Sequence, residues 1–438
     1  MKILLIDQSG SFVDFALRCE AQDHEVRVWM PKEKDGTRLI IGDGLVTKVE
    51  NWTSWMKWAD LILTSDNSKY TDQLESWRNE GYPIFGANKV CTAWELERGT
   101  GQDVLAAAGI ELIPSIIFSS YDDAIAHLNL NPIRYVSKPT GDVDKALSYV
   151  SKGPADMMFM LEHWKRRQKK KVPFLFQEFV PGIEMAIGGW VGRNGFSKYF
   201  LENFEFKKLM PGEIGVNTGE MGTVMKYCKA EDSLLARSIL LPLEADLIRE
   251  GYTGYIDVAV IIDKKGRPLP LEFTSRPGWP LFQIQQVLHP EVVEWMKDLI
   301  DGKDTFEPSE DIALGVVIAI PDFPYGKLQR EVVSGFPIWG ITDKNRYFIH
   351  PSEVQLGTAP QLENGSLSSA ASLTTAGSYV MVVSAREASV SEAREAAYAR
   401  VKAIEISNSP MYRIDIGCRL EAQLPILQAL GYATSWQW

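Results

Sequence analysis

The first 110 residues alternate short apolar runs with amphipathic stretches. Lys2–Ile6, Glu25–Trp29, Leu61–Thr64 and Pro83–Phe85 read as strands, and Phe12–Glu20 and Asp72–Asn79 have helical spacing, the second ended by Gly81. That rhythm predicts a small parallel sheet. In the middle of the chain, Ile133–Lys138, Phe174–Phe179, Glu184–Gly192, Tyr255–Ile262 and Leu269–Phe273 read as strands, and Lys264–Arg267 as a hairpin turn. Ser233–Glu250 reads as one amphipathic helix ended by Gly251. An antiparallel sheet with helices on one face is expected there. In the last part Ala313–Ile320 and Tyr379–Ser384 read as strands. Ser391–Ile404 reads as a helix capped by Ser391, and the Ser-, Gly- and Thr-rich stretch Gln361–Ser378 as a surface loop.

Composition narrows the class. The 438 residues are 45% hydrophobic and 24% charged, and the formal net charge is −11. A broad nucleic-acid or anionic-membrane surface needs a basic face, so nucleic acid is not an expected partner. No run approaches the ~20 apolar residues of a membrane span. Cys19, Cys91, Cys228 and Cys418 form no CxxC pair, and the five histidines are scattered. Reduced structural thiols in a cytoplasmic protein are expected. His163–Lys171 is a basic run that reads as the solvated end of a helix.

The candidate chemistry sits at one hairpin. Asp257 and Glu272 lie on the two strands flanking the Lys264–Arg267 turn and are expected to come close together across the ladder. Adjacent carboxylates either pair with Lys or Arg or share a hard divalent ion, and Mg²⁺ is commonly held by one or two carboxylates plus substrate phosphates.

The neighbouring residues carry a resemblance. Tyr252-Thr-Gly-Tyr-Ile-Asp-Val258 with Leu271-Glu-Phe-Thr-Ser-Arg276 resembles the metal end of ATP-grasp ligases, and within them the phosphoribosylamine–glycine ligase family. Gly215-Val-Asn-Thr-Gly-Glu-Met-Gly222, Phe176-Gln-Glu-Phe-Val-Pro-Gly-Ile-Glu184, Ala313-Leu-Gly-Val-Val317 and Tyr412-Arg-Ile-Asp-Ile-Gly-Cys-Arg419 are similar to further motifs of that family, in the same order.

The resemblance implies an α/β and α+β ATP-grasp fold: a Rossmann-like N-terminal domain (1–110), an ATP-grasp domain (111–305) and a β-rich C-terminal domain (306–438). It implies ATP and Mg²⁺ (or Mn²⁺) as cofactors, with Asp257, Glu272 and Thr274 as metal ligands; Thr274 stands where the family has Asn. Arg276 would meet acyl-phosphate oxygens, and Lys138 and Arg98 the nucleotide phosphates. Gln177, Glu178 and Val180 would line the adenine, and Glu184 the ribose. Asn217, Thr218, Gly219 and Glu220 would hold the amino acid.

Several places depart from the family. Its Gly-Gly-Arg-Glu-His loop is replaced by Ser9-Gly-Ser-Phe-Val-Asp14, and its Gly-Pro-Glu by Thr64-Ser-Asp-Asn-Ser-Lys69. Gly10 and Ser11 at a helix N-terminus are expected to offer backbone N–H groups to a phosphate, helped by Lys69. The Gly-rich phosphate lid is replaced by Thr140–Ala146, and Pro321–Pro324 stands for Gly-Gly-Tyr-Pro. The implied activity is a carboxylate–amine ligase acting through an acyl phosphate, joining an amino acid such as glycine either to phosphoribosylamine despite the altered pocket or to a different amine, which the lost Arg-Glu-His favours. The alternative is a non-catalytic ATP-binding protein on the same scaffold. A dinucleotide oxidoreductase is set aside, since no GxGxxG follows Ile6. Small-molecule substrates and a monomer or homodimer are expected.

Overall fold

The computed structural model describes residues 1–33, 35–67, 69–140, 148–167 and 173–438. The N-terminal sheet is parallel, in the order Glu25–Trp29, Lys2–Ile6, Leu61–Thr64, Ile84–Phe85. Helices Val13–Ala21 and Thr71–Asn79 connect its strands. Every expected element of this region forms.

A four-stranded antiparallel sheet follows, built from Ser115–Phe118, Phe174–Glu178, Tyr135–Pro139 and Tyr149–Val150. Helices Tyr121–Leu130 and Pro154–Arg167 pack against it through Leu128, Leu161 and Trp164. The second helix does end in Lys165, Arg166 and Arg167; the rest of the basic run, and most of Thr140–Ala146, lies outside the described residues.

The centre is one eight-stranded sheet, ordered Pro268–Thr274, Gly254–Asp263, Gly182–Gly192, Gly195–Glu205, Gly222–Lys229, Ile312–Ala319, Tyr379–Glu387, Ile349–Pro351. It runs without a break past the boundary expected near 305, because Gly222–Lys229 pairs directly with Ile312–Ala319. Helices cover both of its faces, not one. Leu235, Ile239 and Leu247 pack with Ile187 and Ile256 on one side, and Phe282, Trp295 and Met296 with Trp190 and Tyr255 on the other. The Gly254–Asp263 strand is accordingly buried along nearly its whole length, as strands covered on both faces are.

Three local expectations are corrected. The Ser233–Glu250 helix forms as an unbroken helical run over 234–249, but it is not α-helical throughout: Ala236–Leu240 is a π turn and Leu241–Leu243 a 3₁₀ turn. Pro242 has no N–H to give and its ring crowds the preceding turn. Gln361–Ser378 is not a loop. Val354–Glu363 and Ser366–Ala376 form a continuous antiparallel hairpin, closed by Asn364 and Gly365 at φ +50° and +79°. Positive φ at both central residues is what a two-residue hairpin turn requires. The late helix spans Val390–Val401, and its cap is Ser389, whose hydroxyl accepts from the Glu392 N–H. The four thiols are free, three of them buried and Cys418 exposed. Among the described residues no helix is long and apolar enough to cross a membrane.

Candidate active site

The hairpin that carries the candidate carboxylates forms, with a different register. Asp257 lies opposite Thr274, and Glu272 opposite Ala259. Asp257, Thr274 and Glu272 therefore share one face of the ladder, with Glu272 diagonal to Asp257 rather than level with it. Asp257 stands two residues farther from the centre of the Lys264–Arg267 turn than Glu272 does, and that offset is the one the register shows.

Glu272 is a meeting point for cations. Arg98, at the start of helix Arg98–Ala107, places an Nη 2.7 Å from it and donates from Nε to the Pro139 carbonyl at 3.0 Å. Pro139 follows Lys138 at the end of its strand. Lys207 Nζ lies 3.9 Å from Glu272, 3.0 Å from Glu184 and 2.9 Å from Glu205. Although burial works against it, the charge of Arg98, Lys138 and Lys207 holds the Glu272 carboxyl well below the usual range. Burial, with Arg98 and Lys207 beside it, lowers Lys138 to about 8. The positive charge of Lys207 holds Glu184 low, and its three carboxylate neighbours raise Lys207 well above the ordinary lysine value despite burial.

Asp257 is more secluded. It is buried, and one oxygen accepts from the Asn203 amide and the Tyr255 hydroxyl, both at 3.0 Å. Burial and the nearby charge of Glu205 raise it to about 7. Gly188, its ladder partner, leaves room for this arrangement.

Sequence reasoning missed Asn203, Glu205 and Lys207. They alternate with Phe204 and Phe206, both buried in the core, so every second position is polar in an otherwise apolar run. That inverted alternation was the available signal. Two arginines of the Tyr412–Arg419 motif clamp the same segment. Arg419 donates to the Glu205 carbonyl at 2.6 Å and the wholly buried Arg413 to the Lys208 carbonyl at 3.0 Å, and both guanidinium groups lie against the Phe206 ring.

The remaining expected residues divide into two groups. Gln177 is buried on the Phe174–Glu178 strand with its amide Nε2 unpartnered, Glu178 ends that strand, and Val180 is half-buried just beyond it. Thr218 anchors its loop by donating backbone N–H and hydroxyl to the Lys207 carbonyl, each at 2.8 Å. Asn217 is exposed, and a Cβ added at Gly219 would meet open space. Glu220 is buried and accepts from the Thr223 hydroxyl; burial, with Glu205 nearby, pushes its carboxyl well up.

Arg276 lies on the other side. It pairs with Glu95 at 3.2 Å and more loosely with Asp66 at 3.9 Å. Asn67 ties the same corner together, donating to Glu95 at 2.6 Å and to the Ser275 hydroxyl at 2.9 Å. Gly10 and Ser11 do present backbone N–H groups inward, but toward Asp7: its Oδ1 accepts from them at 3.1 and 3.2 Å. Lys69 lies over the Tyr70 ring. Of the Pro321–Pro324 stretch, Phe323 packs on Tyr379, which in turn packs on Trp279.

Oxygen donors on a strand face, with three cations converging beside them, fit a nucleotide phosphate and a hard divalent ion. Among the described residues no group of three or more His, Cys, Asp or Glu forms a ready-made metal cage. A Mg²⁺ completed by substrate phosphates needs fewer protein ligands than that.

The fold is that of the ATP-grasp enzymes. No family model matches the chain. It is 30% identical over 361 residues to phosphoribosylamine–glycine ligase of Ralstonia nicotianae, covering 79% of this chain and 81% of that one. It shares its fold with the crystal structure of phosphoribosylamine–glycine ligase from Thermotoga maritima, at TM-score 0.73 and 18% identity over 95% of this chain and 100% of that one. The biotin carboxylase domain of 2-oxoglutarate carboxylase from Hydrogenobacter thermophilus, solved with MgADP, aligns at TM-score 0.60 and 11% identity over 94% and 91%. The chain belongs to the phosphoribosylamine–glycine ligase family.

Proposed function

We propose that the chain is an ATP- and Mg²⁺-dependent ligase that activates the carboxylate of an amino acid such as glycine as an acyl phosphate and joins it to an amine other than phosphoribosylamine. The observation that carries this reading is the convergence of Arg98, Lys138 and Lys207 on Glu272 at one end of the central hairpin. Phosphoryl transfer needs positioned positive charge more than covalent help, and this cluster supplies it. Glu272, Asp257 and Thr274 would hold the metal, which when bound neutralises phosphate charge. Lys138 and Arg98 would orient the phosphates. The unpartnered Gln177 amide stands in the strand assigned to the adenine, and Glu184 is held ionised for ribose hydroxyls. Thr218 fixes the backbone of Lys207, so the loop assigned to the amino acid also sets the position of a phosphate-facing cation.

The test is coupled ADP release with ATP and Mg²⁺ across amino acids and amines, phosphoribosylamine included. Amino-acid-dependent turnover with an amine other than phosphoribosylamine is the expected result. A strict requirement for phosphoribosylamine would overturn the acceptor assignment. ATP binding with no turnover for any pair would overturn the ligase assignment.

A further inference from the structure

The N-terminal sheet has its topological switch point between Lys2–Ile6 and Leu61–Thr64, since the chain leaves the first strand to one side and returns on the other. In an open parallel sheet, ligands bind in the crevice at the carboxyl ends of such strands, and a loop opening a helix there is suited to an anion. In this chain that position holds an internal anion. Asp7, the residue after the first strand, is wholly buried. Its Oδ1 accepts from the N–H groups of Ser9, Gly10 and Ser11 at 3.3, 3.1 and 3.2 Å, and from the hydroxyls of Ser11 and Ser65 at 3.3 and 2.9 Å. Its Oδ2 accepts from the Phe12 N–H at 2.9 Å. Ser65 follows the other strand of the switch point, so the carboxylate bridges the crevice from both sides.

Gly10 is what lets the loop wrap around the side chain. It sits at φ +82°, and a Cβ there would lie 2.5 Å from Ile41 Cγ2. The surroundings are acidic as well. Asp14, buried in the first turn of the helix, takes up Arg18 at 2.9 Å and His350 at 2.7 Å. Across the crevice Arg276 is engaged by Glu95 and Asp66.

We propose that Asp7 is a specificity-determining residue that stands in for a substrate phosphate, so that the acceptor amine of this ligase carries no phosphate at the end that reaches this crevice. The proposal rests on the ligase reading above and names its acceptor class. A phosphate entering the loop would have to displace a carboxylate already bonded to every inward N–H, and would meet like charge if it did not.

Ribose 5-phosphate is the probe, titrated by calorimetry into the full-length protein saturated with MgADP, so that the nucleotide's own phosphate sites are taken. The native protein should show no saturable binding at a Kd below about 1 mM. Asp7→Ser, which empties the loop, should bind at least about 10-fold tighter than native, and Asp7→Asn, which keeps the shape and removes the charge, should shift the same way. Saturable native binding below that limit overturns the proposal whether or not either variant folds. Folded variants that bind no tighter than native overturn it too. Failure of the ligase reading shows separately, as absence of MgADP binding or of amino-acid-dependent ADP release.

Discussion

Arg98 and Glu272 close an ion pair of 2.7 Å between the helix that leads out of the N-terminal region and the edge strand of the central sheet. The same guanidinium holds the Pro139 carbonyl, so one residue ties together the strand end bearing Lys138 and the assigned metal carboxylate. Glu272→Gln removes the proposed metal ligand and leaves Arg98 and Lys207 with less negative charge to meet. Amino-acid-dependent ADP release should fall by about 100-fold or more, as loss of a direct ligand exceeds that of an outer partner. Calorimetry should still detect nucleotide binding without Mg²⁺. Retention of more than a tenth of the native turnover would remove Glu272 from the metal site.

Lys138 gives the site a pH limit. Its folded-state value of about 8 lies below the ordinary lysine value of 10.5. Between those values the unfolded chain binds the proton and the folded chain does not, so this group makes stability rise with pH over that window. Nucleotide affinity should move the other way, because a neutral amine attracts phosphate less. The KM for ATP should rise as pH passes 8 in the native protein. Lys138→Arg, charged throughout, should flatten the profile, and an unchanged slope in that variant would exclude Lys138 as its source.

Much of this site could be read in the sequence because strands ending in charge stand out against their apolar interiors. Glu272 was visible on that ground, Asp257 as an acid inside an apolar strand, and Lys138 through the family resemblance. The level pairing of Asp257 with Glu272 fails because Asp257 lies two residues farther from the Lys264–Arg267 turn, an offset the sequence already carries. The hairpin at 354–376 was misread for a different reason: its small polar residues mask the strand, although Asn364-Gly365 was a turn signal in plain sight. Pro242 likewise announced the π and 3₁₀ turns inside the 233–250 helix. Lys207 was invisible as chemistry because its partners Glu184, Glu205 and Glu272 come from three strands. The role of Asp7 depends on loop geometry that no residue count supplies.

Lys207 should be a stability determinant with an acid limit. Its charge holds Glu184 below the ordinary glutamate value. A depressed carboxylate contributes stability that is present above the unfolded value and lost as pH falls through the folded one. Lys207→Met should therefore cost about 1–2 kcal/mol in urea unfolding at pH 7, discounted for the partial solvent exposure of the pair. Below pH 4 the gap between variant and native should narrow. A gap that stays constant with pH would assign the loss to packing instead.

Gly188 should tolerate no side chain. A Cβ there would lie 1.9 Å from the Tyr255 hydroxyl and 2.9 Å from an Asp257 carboxylate oxygen. Both atoms belong to the hydrogen-bonded group that orients Asp257, which also holds Asn203. The neighbours are buried strand residues with little freedom to move, so overpacking should cost about 1–3 kcal/mol. Gly188→Ala should lower the thermal midpoint, and in the folded fraction it should weaken the stabilisation gained from MgADP more than that gained from ADP alone. Equal loss of both would show that the crowding disturbs the sheet without reaching the carboxylate proposed to face the metal.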